Sequence, residues 1–315
     1  MSQTALIGVD WGTTSMRLWR FSKTGDIIER ERSDRGILKV ADGKFREILE
    51  AVASDSVAPD VPILMSGMIG SRQGWIEAPY VFCPADIATL ADHLQPVPGG
   101  INAQIVPGVA LRDVGGRRDV MRGEETQILG ARLGRGRQLI VLPGTHCKWV
   151  LIEDGRIRDF VTFMTGEMYQ ALRRHTILAR LMPDTDTGPD VEAVRRSFAA
   201  GLTASLDGEA RLMQSLFGIR ARGLFDELAP ELAPAALSGL LIGAEISEGL
   251  ALSRRWGLAE IAPLIIGGDI LIERYQTAFQ QAGISTTTGN EDAGALGLWR
   301  IAQQRNLVSQ ASAPQ

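Results

Sequence analysis

Two short glycine-threonine turns have the composition of a polyphosphate holder. Gly12-Thr13-Thr14 comes soon after the apolar run Ala5-Leu6-Ile7-Gly8-Val9, and Gly144-Thr145 after Gln138-Leu139-Ile140-Val141-Leu142. A strand-like run resumes beyond each turn, so each reads as the tip of a β-hairpin that offers backbone N–H groups and hydroxyls to an anion. Placing Gly12 over Gly144 and Thr13 over Thr145 needs no gap across the hairpin, which reads as an internal structural duplication. A third feature, Gly267-Gly268, follows the run Pro263-Leu264-Ile265-Ile266 and precedes a helical pattern. Backbone there can approach a flat ligand closely and aim a helix N-terminus at phosphate.

Carboxylates accompany these turns. Asp10 ends the first apolar run, where it can hold Mg2+ directly or through water near a transferring phosphoryl group. Glu124-Glu125 supplies a general base, because a hydroxyl that attacks phosphorus needs an acceptor for its proton. Lys148, two positions after His146, can neutralise phosphate or a substrate carboxylate. Local sequence leaves plainer alternatives open: a turn-stabilising aspartate and a solvated helical pair.

Other chemistries lack their patterns. His93, His146 and His175 have no mutual metal-ligand spacing, and Ser66-Gly67 lacks the context of a hydrolase nucleophile elbow. Neither a GxGxxG fingerprint nor a P-loop occurs at the glycine junctions. The only cysteines, Cys83 and Cys147, make no disulfide framework and no paired-cysteine zinc motif, which fits a reduced cytosol. A net charge of −4 and a pI near 5.6 give no electrostatic footprint for nucleic acid. The N-terminus lacks the pattern of a signal peptide, and no uninterrupted apolar stretch approaches the ~18 residues of a membrane span. A soluble cytoplasmic protein with no membrane partner is expected.

The elements that must position these groups form a two-domain α/β pattern. At 315 residues, with 45% hydrophobic and 22% charged content, the chain is long enough for two cores. The expected division is 1–135 and 136–315. The first part opens as a three-stranded meander ending at Ile27-Ile28-Glu29-Arg30-Glu31, followed by a helix over 44–53 and strands at Pro62–Met65 and Ala103–Val106. A crossover helix is expected over Gly123–Leu133. The second part repeats the meander, with a third strand over Ile157–Phe163. Helical patterns follow over 166–181, 190–217, 235–253, 270–282 and 292–303, with an edge strand at Ser285–Thr288 and a frayed tail after Asn306.

Taken together, Asp10-Trp11-Gly12-Thr13-Thr14-Ser15, the Gly144-Thr145 hairpin and Gly267-Gly268 resemble the two phosphate motifs and the adenosine motif of the acetate and sugar kinase, heat-shock chaperone and actin superfamily. Four longer segments resemble the 2-dehydro-3-deoxygalactonokinase family: Ser66-Gly67-Met68-Ile69-Gly70-Ser71 with Trp75 and Ala78-Pro79-Tyr80; Met121-Arg122-Gly123-Glu124-Glu125-Thr126-Gln127; Pro143-Gly144-Thr145-His146-Cys147-Lys148-Trp149; and Met164-Thr165-Gly166-Glu167. The resemblance spans residues 5 to about 303. It implies two ribonuclease-H-like, actin-like domains with an interdomain nucleotide cleft, and ATP-dependent phosphorylation of the C6 hydroxyl of 2-dehydro-3-deoxy-D-galactonate.

Carried over by motif, Gly12, Thr13, Thr14, Gly144 and Thr145 hold phosphate and Gly267 and Gly268 border adenosine. Ser66, Gly67, Met68, Ser71, Arg72 and Trp75 lie near the sugar acid. Arg17, Arg72 or Arg122 binds its carboxylate as a planar fork. Leu142-Pro143 stands where many superfamily members place an aspartate, which shifts metal handling toward Asp10. The Gly123-Glu124-Glu125 segment also resembles the glutamate-bearing crossover of exopolyphosphatases, which favours Glu124 over Glu125 as base. The expected ligands are ATP, Mg2+ and a small sugar acid, with homo-oligomerisation left open. An exopolyphosphatase-like phosphohydrolase and a nonenzymatic nucleotide-dependent binding protein are the alternatives.

Overall fold

The computed structural model describes residues 4–53, 61–113, 115–131, 133–183, 190–206 and 212–308. Two compact units result, one made of Met1–Gly136, Ile152–Phe160 and Asn290–Gln315, the other of Arg137–Leu151 and Val161–Gly289.

In the first unit the opening apolar run forms β1 (Leu6–Trp11), followed by β2 (Met16–Phe21) and β3 (Ile27–Ser33). Helix α1 (Phe45–Ala53) precedes β4 (Ile63–Ser66) and β5 (Tyr80–Phe82). Then come α2 (Ile87–Asp92), β6 (Gln95–Pro96), β7 (Ala103–Ile105), β8 (Gly108–Arg112), β9 (Arg118–Met121) and α3 (Glu124–Gly130). A six-stranded sheet has the order β3-β2-β1-β4-β7-β6, with β1 parallel to β4 and β4 parallel to β7. Leu6–Val9 and all of β4 are buried, as expected of parallel strands covered on both faces. One face packs Val9, Trp11 and Met65 against Phe45 and Leu49 of α1. A separate sheet, β5-β8-β9, adds to the expected elements; its strands are 3 to 5 residues long and carry little alternation.

The chain then repeats the opening with β10 (Arg137–Leu142), β11 (Cys147–Glu153) and β12 (Arg156–Phe163), of which Ile152–Phe160 is counted with the first unit and the rest with the second. Helices α4 (Thr165–His175), α5 (Val191–Leu206), α6 (Leu212–Leu224) and α7 (Ala233–Arg255) follow. The chain then forms β13 (Leu264–Ile265), α8 (Asp269–Gln281) and β14 (Thr287–Thr288). The sheet order β12-β11-β10-β13-β14 matches β3-β2-β1-β4-β7 strand for strand, and β10–β13 and β13–β14 are parallel like their counterparts. This topology is the duplication expected from the two hairpin tips.

Helix α7 is the central helix of this unit. The stretch Pro230–Arg255 is long and apolar enough by length and composition to cross a membrane, but 72% of its most apolar window is buried inside the fold. Small residues bring it against α5 backbone to backbone: a Cβ at Gly239 would overlap the Phe198 carbonyl, and one at Gly201 the Ala236 carbonyl. The expected helix over 190–217 is two helices, α5 and α6; the residues between them lie outside the described set, as does the tail from 309 onward.

The last helix, α9 (Ala293–Gln304), packs on α3 of the first unit through glycines. A Cβ at Gly297 would overlap the Thr126 carbonyl, and one at Gly130 the Ala293 carbonyl. Arg300 Nη1 donates to the carbonyls of Leu129 and Ala131 at 2.7 and 2.9 Å, satisfying acceptors that the end of α3 leaves open. Helix α3 therefore stops at Gly130, short of the expected Leu133.

Candidate active site

In the first unit three chain segments converge at the carboxyl ends of β1 and β4, where ligands bind in open α/β sheets. Asp10 near the end of β1 lies opposite Ser66 at the end of β4. Beyond Ser66 the chain turns through Gly67, at φ 91°, and α3 is entered through Gly123, at φ 108°. Both are conformations that side chains disfavour, and space adds to the restriction. A Cβ at Gly67 would stand 2.9 Å from Asp10 Oδ1, and one at Gly123 would stand 3.2 Å from Gly67 Cα.

The hairpin tip beside them is firmly tied. Gly12 N–H donates to the Ser15 carbonyl at 2.9 Å, while the Gly12 and Thr13 carbonyls accept from Ile37 and Leu38. Trp11 Nε1 donates to the Arg35 carbonyl at 2.8 Å. Thr13 and Thr14 are left exposed at the tip.

The two glutamates have different environments. The Glu125 carboxylate is fully buried and folds back to accept the Gly123 N–H, at 2.9 and 2.7 Å from its two oxygens. Burial, reinforced by the charge of Glu124, pushes its pKa up to about 8. Glu124 is half-buried, and its Oε2 accepts the Arg122 N–H at 3.0 Å. Of the pair, Glu124 is the one that solvent, and hence a substrate hydroxyl, can reach.

The three candidate arginines are also distinct. Arg17 forms an ion pair with Asp10, and Arg72 is largely exposed and paired with Glu77 at 2.9 Å. Arg122 is 9% exposed. Its Nη2 donates to the Ala78 carbonyl at 2.9 Å and its guanidinium lies 4.3 Å from the Tyr80 ring centroid. Among the described residues its Nε and Nη1 have no hydrogen-bond partner, and neither do the buried hydroxyls of Ser66 and Ser71. The loop that carries Ser66 to Ser71 is held by Gly70 N–H to Gly67, Ser71 N–H to Met68 and Trp75 N–H to Ile69. Met68 and Trp75 pack on the core, Trp75 stacking on Phe45 with centroids 6.4 Å apart.

In the second unit, Thr145 and His146 are exposed at the tip between β10 and β11, while Lys148 is buried at 4% exposure. The start of α4 braces this tip. Glu167 N–H donates to the Thr145 carbonyl at 2.9 Å, and the Glu167 carboxylate lies 2.6 Å from His146 Nε2. Gly166 fits only as glycine, since a Cβ there would overlap the Gly144 carbonyl. Gly267 stands next to Pro143, and Gly268 opens onto free space at the start of α8. A groove of about 410 Å3 then runs between α5 and α8, lined by Val194, Phe198 and Ile270 with Arg195, Glu273 and Arg274 at hand.

Sequence reasoning missed Glu245, a fully buried carboxylate on α7 that accepts from Trp149 and Tyr275. An acidic residue inside the apolar stretch Leu240–Ile246 is the available signal.

No group of three His, Cys, Asp or Glu side chains gathers as metal ligands among the described residues. Asp10, with one oxygen toward Gly67 and the other on Arg17, fits a Mg2+ ion that arrives with nucleotide phosphates, since Mg2+ usually takes one or two protein carboxylates and fills its shell with phosphate and water.

The family model for 2-keto-3-deoxy-galactonokinase matches residues 10–301. A Rhizobium meliloti (strain 1021) protein named Probable 2-dehydro-3-deoxygalactonokinase is 39% identical over 298 residues, covering 90% of this chain and 92% of its own. The Escherichia coli (strain K12) 2-dehydro-3-deoxygalactonokinase is 37% identical over 282 residues, covering 89% and 91%. A crystal structure of a Sinorhizobium meliloti protein given the same kinase name superposes with a TM-score of 0.84 at 37% identity, over 95% of this chain and 98% of that one. The activator of 2-hydroxyisocaproyl-CoA dehydratase from Clostridium difficile, at 12% identity and a TM-score of 0.50, shares the actin-like fold alone. The chain belongs to the 2-keto-3-deoxy-galactonokinase family.

Proposed function

We propose that the protein is an ATP-dependent kinase that phosphorylates the C6 hydroxyl of 2-dehydro-3-deoxy-D-galactonate. The observation that carries this reading is the meeting of Asp10, Gly67 and the Gly123–Glu124 helix start in a chain whose family match runs from residue 10 to 301.

In this reading Glu124 accepts the proton of the attacking hydroxyl. Glu125, raised toward neutrality by burial, shapes the Gly123 turn that presents Glu124. Arg17 orients Asp10, which takes part in holding Mg2+. When bound, that ion offsets phosphate charge. The backbone and hydroxyls of Gly12, Thr13 and Thr14 and of Gly144 and Thr145, with Lys148, bind the phosphates. Gly267 and Gly268 border adenosine, and the apolar groove beyond Ile270 is its proposed seat.

For the sugar acid, the unpartnered buried donors of Arg122, Ser66 and Ser71 mark where a carboxylate and hydroxyls complete the hydrogen bonding. Arg17 and Arg72 already have carboxylate partners, so Arg122 is the proposed anchor. Gly67 and Met68 shape the loop there, while Arg72 and Trp75 stabilise it.

The test is incubation of the protein with Mg-ATP and a panel of keto-deoxy sugar acids, with mass detection of products. Phosphate gain on the galactonate-derived acid is the expected result. Release of inorganic phosphate alone favours a phosphohydrolase, and ATP binding without turnover favours a binding protein.

A further inference from the structure

Glu245 lies on central helix α7 and is 3% exposed. Its carboxylate accepts the Trp149 Nε1–H at 2.8 Å and the Tyr275 hydroxyl at 2.6 Å. The Cys147 thiol and the Thr165 hydroxyl also hydrogen-bond to it. Burial pushes the Glu245 pKa up and these four hydrogen bonds oppose the rise; a carboxylate offers about four lone-pair sites, and four hydrogen-bonding groups from three other elements meet them here.

Those elements carry the nucleotide half-site. Cys147 and Trp149 belong to β11, directly after the Gly144–Thr145 tip. Thr165 begins α4, next to Gly166, whose backbone presses on Gly144 and Thr145. Tyr275 sits in α8, which begins just past Gly268. Gly249, one turn beyond Glu245 on α7, leaves room for the Trp149 ring, because a Cβ there would overlap it. Helix α7 therefore holds Trp149 by a flat contact and a hydrogen bond together.

We propose that Glu245 is a positioning residue for ATP: it fixes β11, the start of α4 and α8 in one register, so that the phosphate tip and the Gly267–Gly268 turn are set before nucleotide arrives. The proposal rests on reading this half-site as the ATP site. Four groups turn a hydrogen toward this centre, and a carboxylate meets them with two acceptor oxygens where an amide offers one.

The test is Glu245→Gln in the full chain, with calorimetric Mg-ATP binding and steady-state kinetics. Glutamine keeps the shape but replaces one acceptor oxygen with an NH2 group, so the hydroxyl or thiol that faces it must turn its own hydrogen away and accept instead, which breaks the arrangement of the hub. The expected result is ATP affinity weakened by about tenfold or more, with the KM for the sugar acid changed less than about twofold, because the preorganisation lost is local to the nucleotide groups. Tyr275→Phe and Thr165→Val each remove one donor and are expected to weaken ATP binding by about threefold. Combining Tyr275→Phe with Glu245→Gln is expected to add little to the Gln change.

A Glu245→Gln protein with a lowered melting temperature and unchanged ATP affinity would make the residue merely structural and overturn the proposal. So would equal losses for ATP and sugar acid. Should Glu245→Gln fail to fold, unchanged ATP affinity in both single-donor variants overturns it instead. A parent protein that binds ATP but phosphorylates no sugar acid defeats the kinase reading alone, since the calorimetric comparison still decides the role of Glu245; a parent that binds no ATP defeats both.

Discussion

Asp10 and Arg17 are direct cross-strand partners in the β1–β2 hairpin, and Arg17 Nε donates to Asp10 Oδ2 at 3.1 Å. The guanidinium holds one carboxylate oxygen and leaves the other directed toward Gly67. Asp10→Asn keeps the shape and removes the charge that both Arg17 and Mg2+ need. Turnover is expected to fall by about 100-fold or more, the scale set by losing one preorganised electrostatic contact. A Mg2+ titration of the variant checks this, and parent-like activity throughout it contradicts a metal role.

The two adjacent glutamates separate by exposure. Glu124→Gln deletes the accessible base with little change of shape, so kcat is expected to drop by about 10^2- to 10^4-fold while ATP affinity stays near the parent value. Stopped-time assays with calorimetry read both quantities. Near-normal turnover in this variant, with a collapse in folded Glu125→Gln protein instead, reassigns the base to Glu125.

Glu125 also couples pH to stability. Its carboxyl ordinarily titrates at 4.5 and is pushed up to about 8 in the fold. Between those values the folded state keeps a proton that the unfolded state has released. Its contribution is therefore fully present below 4.5 and is lost as pH rises to 8. Glu125→Gln, which does not titrate, is expected to gain melting temperature relative to the parent as pH rises through this window. Parallel curves for the two proteins would remove the buried-carboxyl account.

Gly166 is a steric probe of the second phosphate tip. Any Cβ meets the Gly144 carbonyl and the Thr145 Cα, both backbone-bound atoms that move only if the tip moves. Gly166→Ala is expected to raise the KM for ATP by about tenfold or more, since small displacements of positioned groups carry costs of that order. An unchanged KM would mean that this tip does not contact nucleotide.

Legibility in the sequence followed the strength of local patterning. The apolar runs at 5–9 and 139–142 and the glycine-threonine tips are readable because buried parallel strands need uninterrupted apolar residues and tight tips need small ones. Their likeness became a shared strand order once the sheets were formed. The short strands β5, β8 and β9 are hard to read: β5 pairs with β8 about 28 residues further on, and β8 and β9, though adjacent in the chain, are only 5 and 4 residues long. Which arginine retains spare donors was equally hidden: Arg17, Arg72 and Arg122 differ only in what folding sets beside them, namely Asp10, Glu77, and the Ala78 carbonyl with the Tyr80 ring. Glu245 was overlooked because its donors, Cys147, Thr165 and Tyr275 among them, come from separate stretches of chain.

The most direct test of the central claim is the stoichiometry and position of phosphate transfer to 2-dehydro-3-deoxy-D-galactonate, followed by phosphorus–proton NMR alongside ADP release. The account predicts one ADP for each phosphorylated product, with the phosphorus coupled to the C6 protons. ADP formed with inorganic phosphate and an unmodified sugar acid, or phosphate at another hydroxyl, would contradict it.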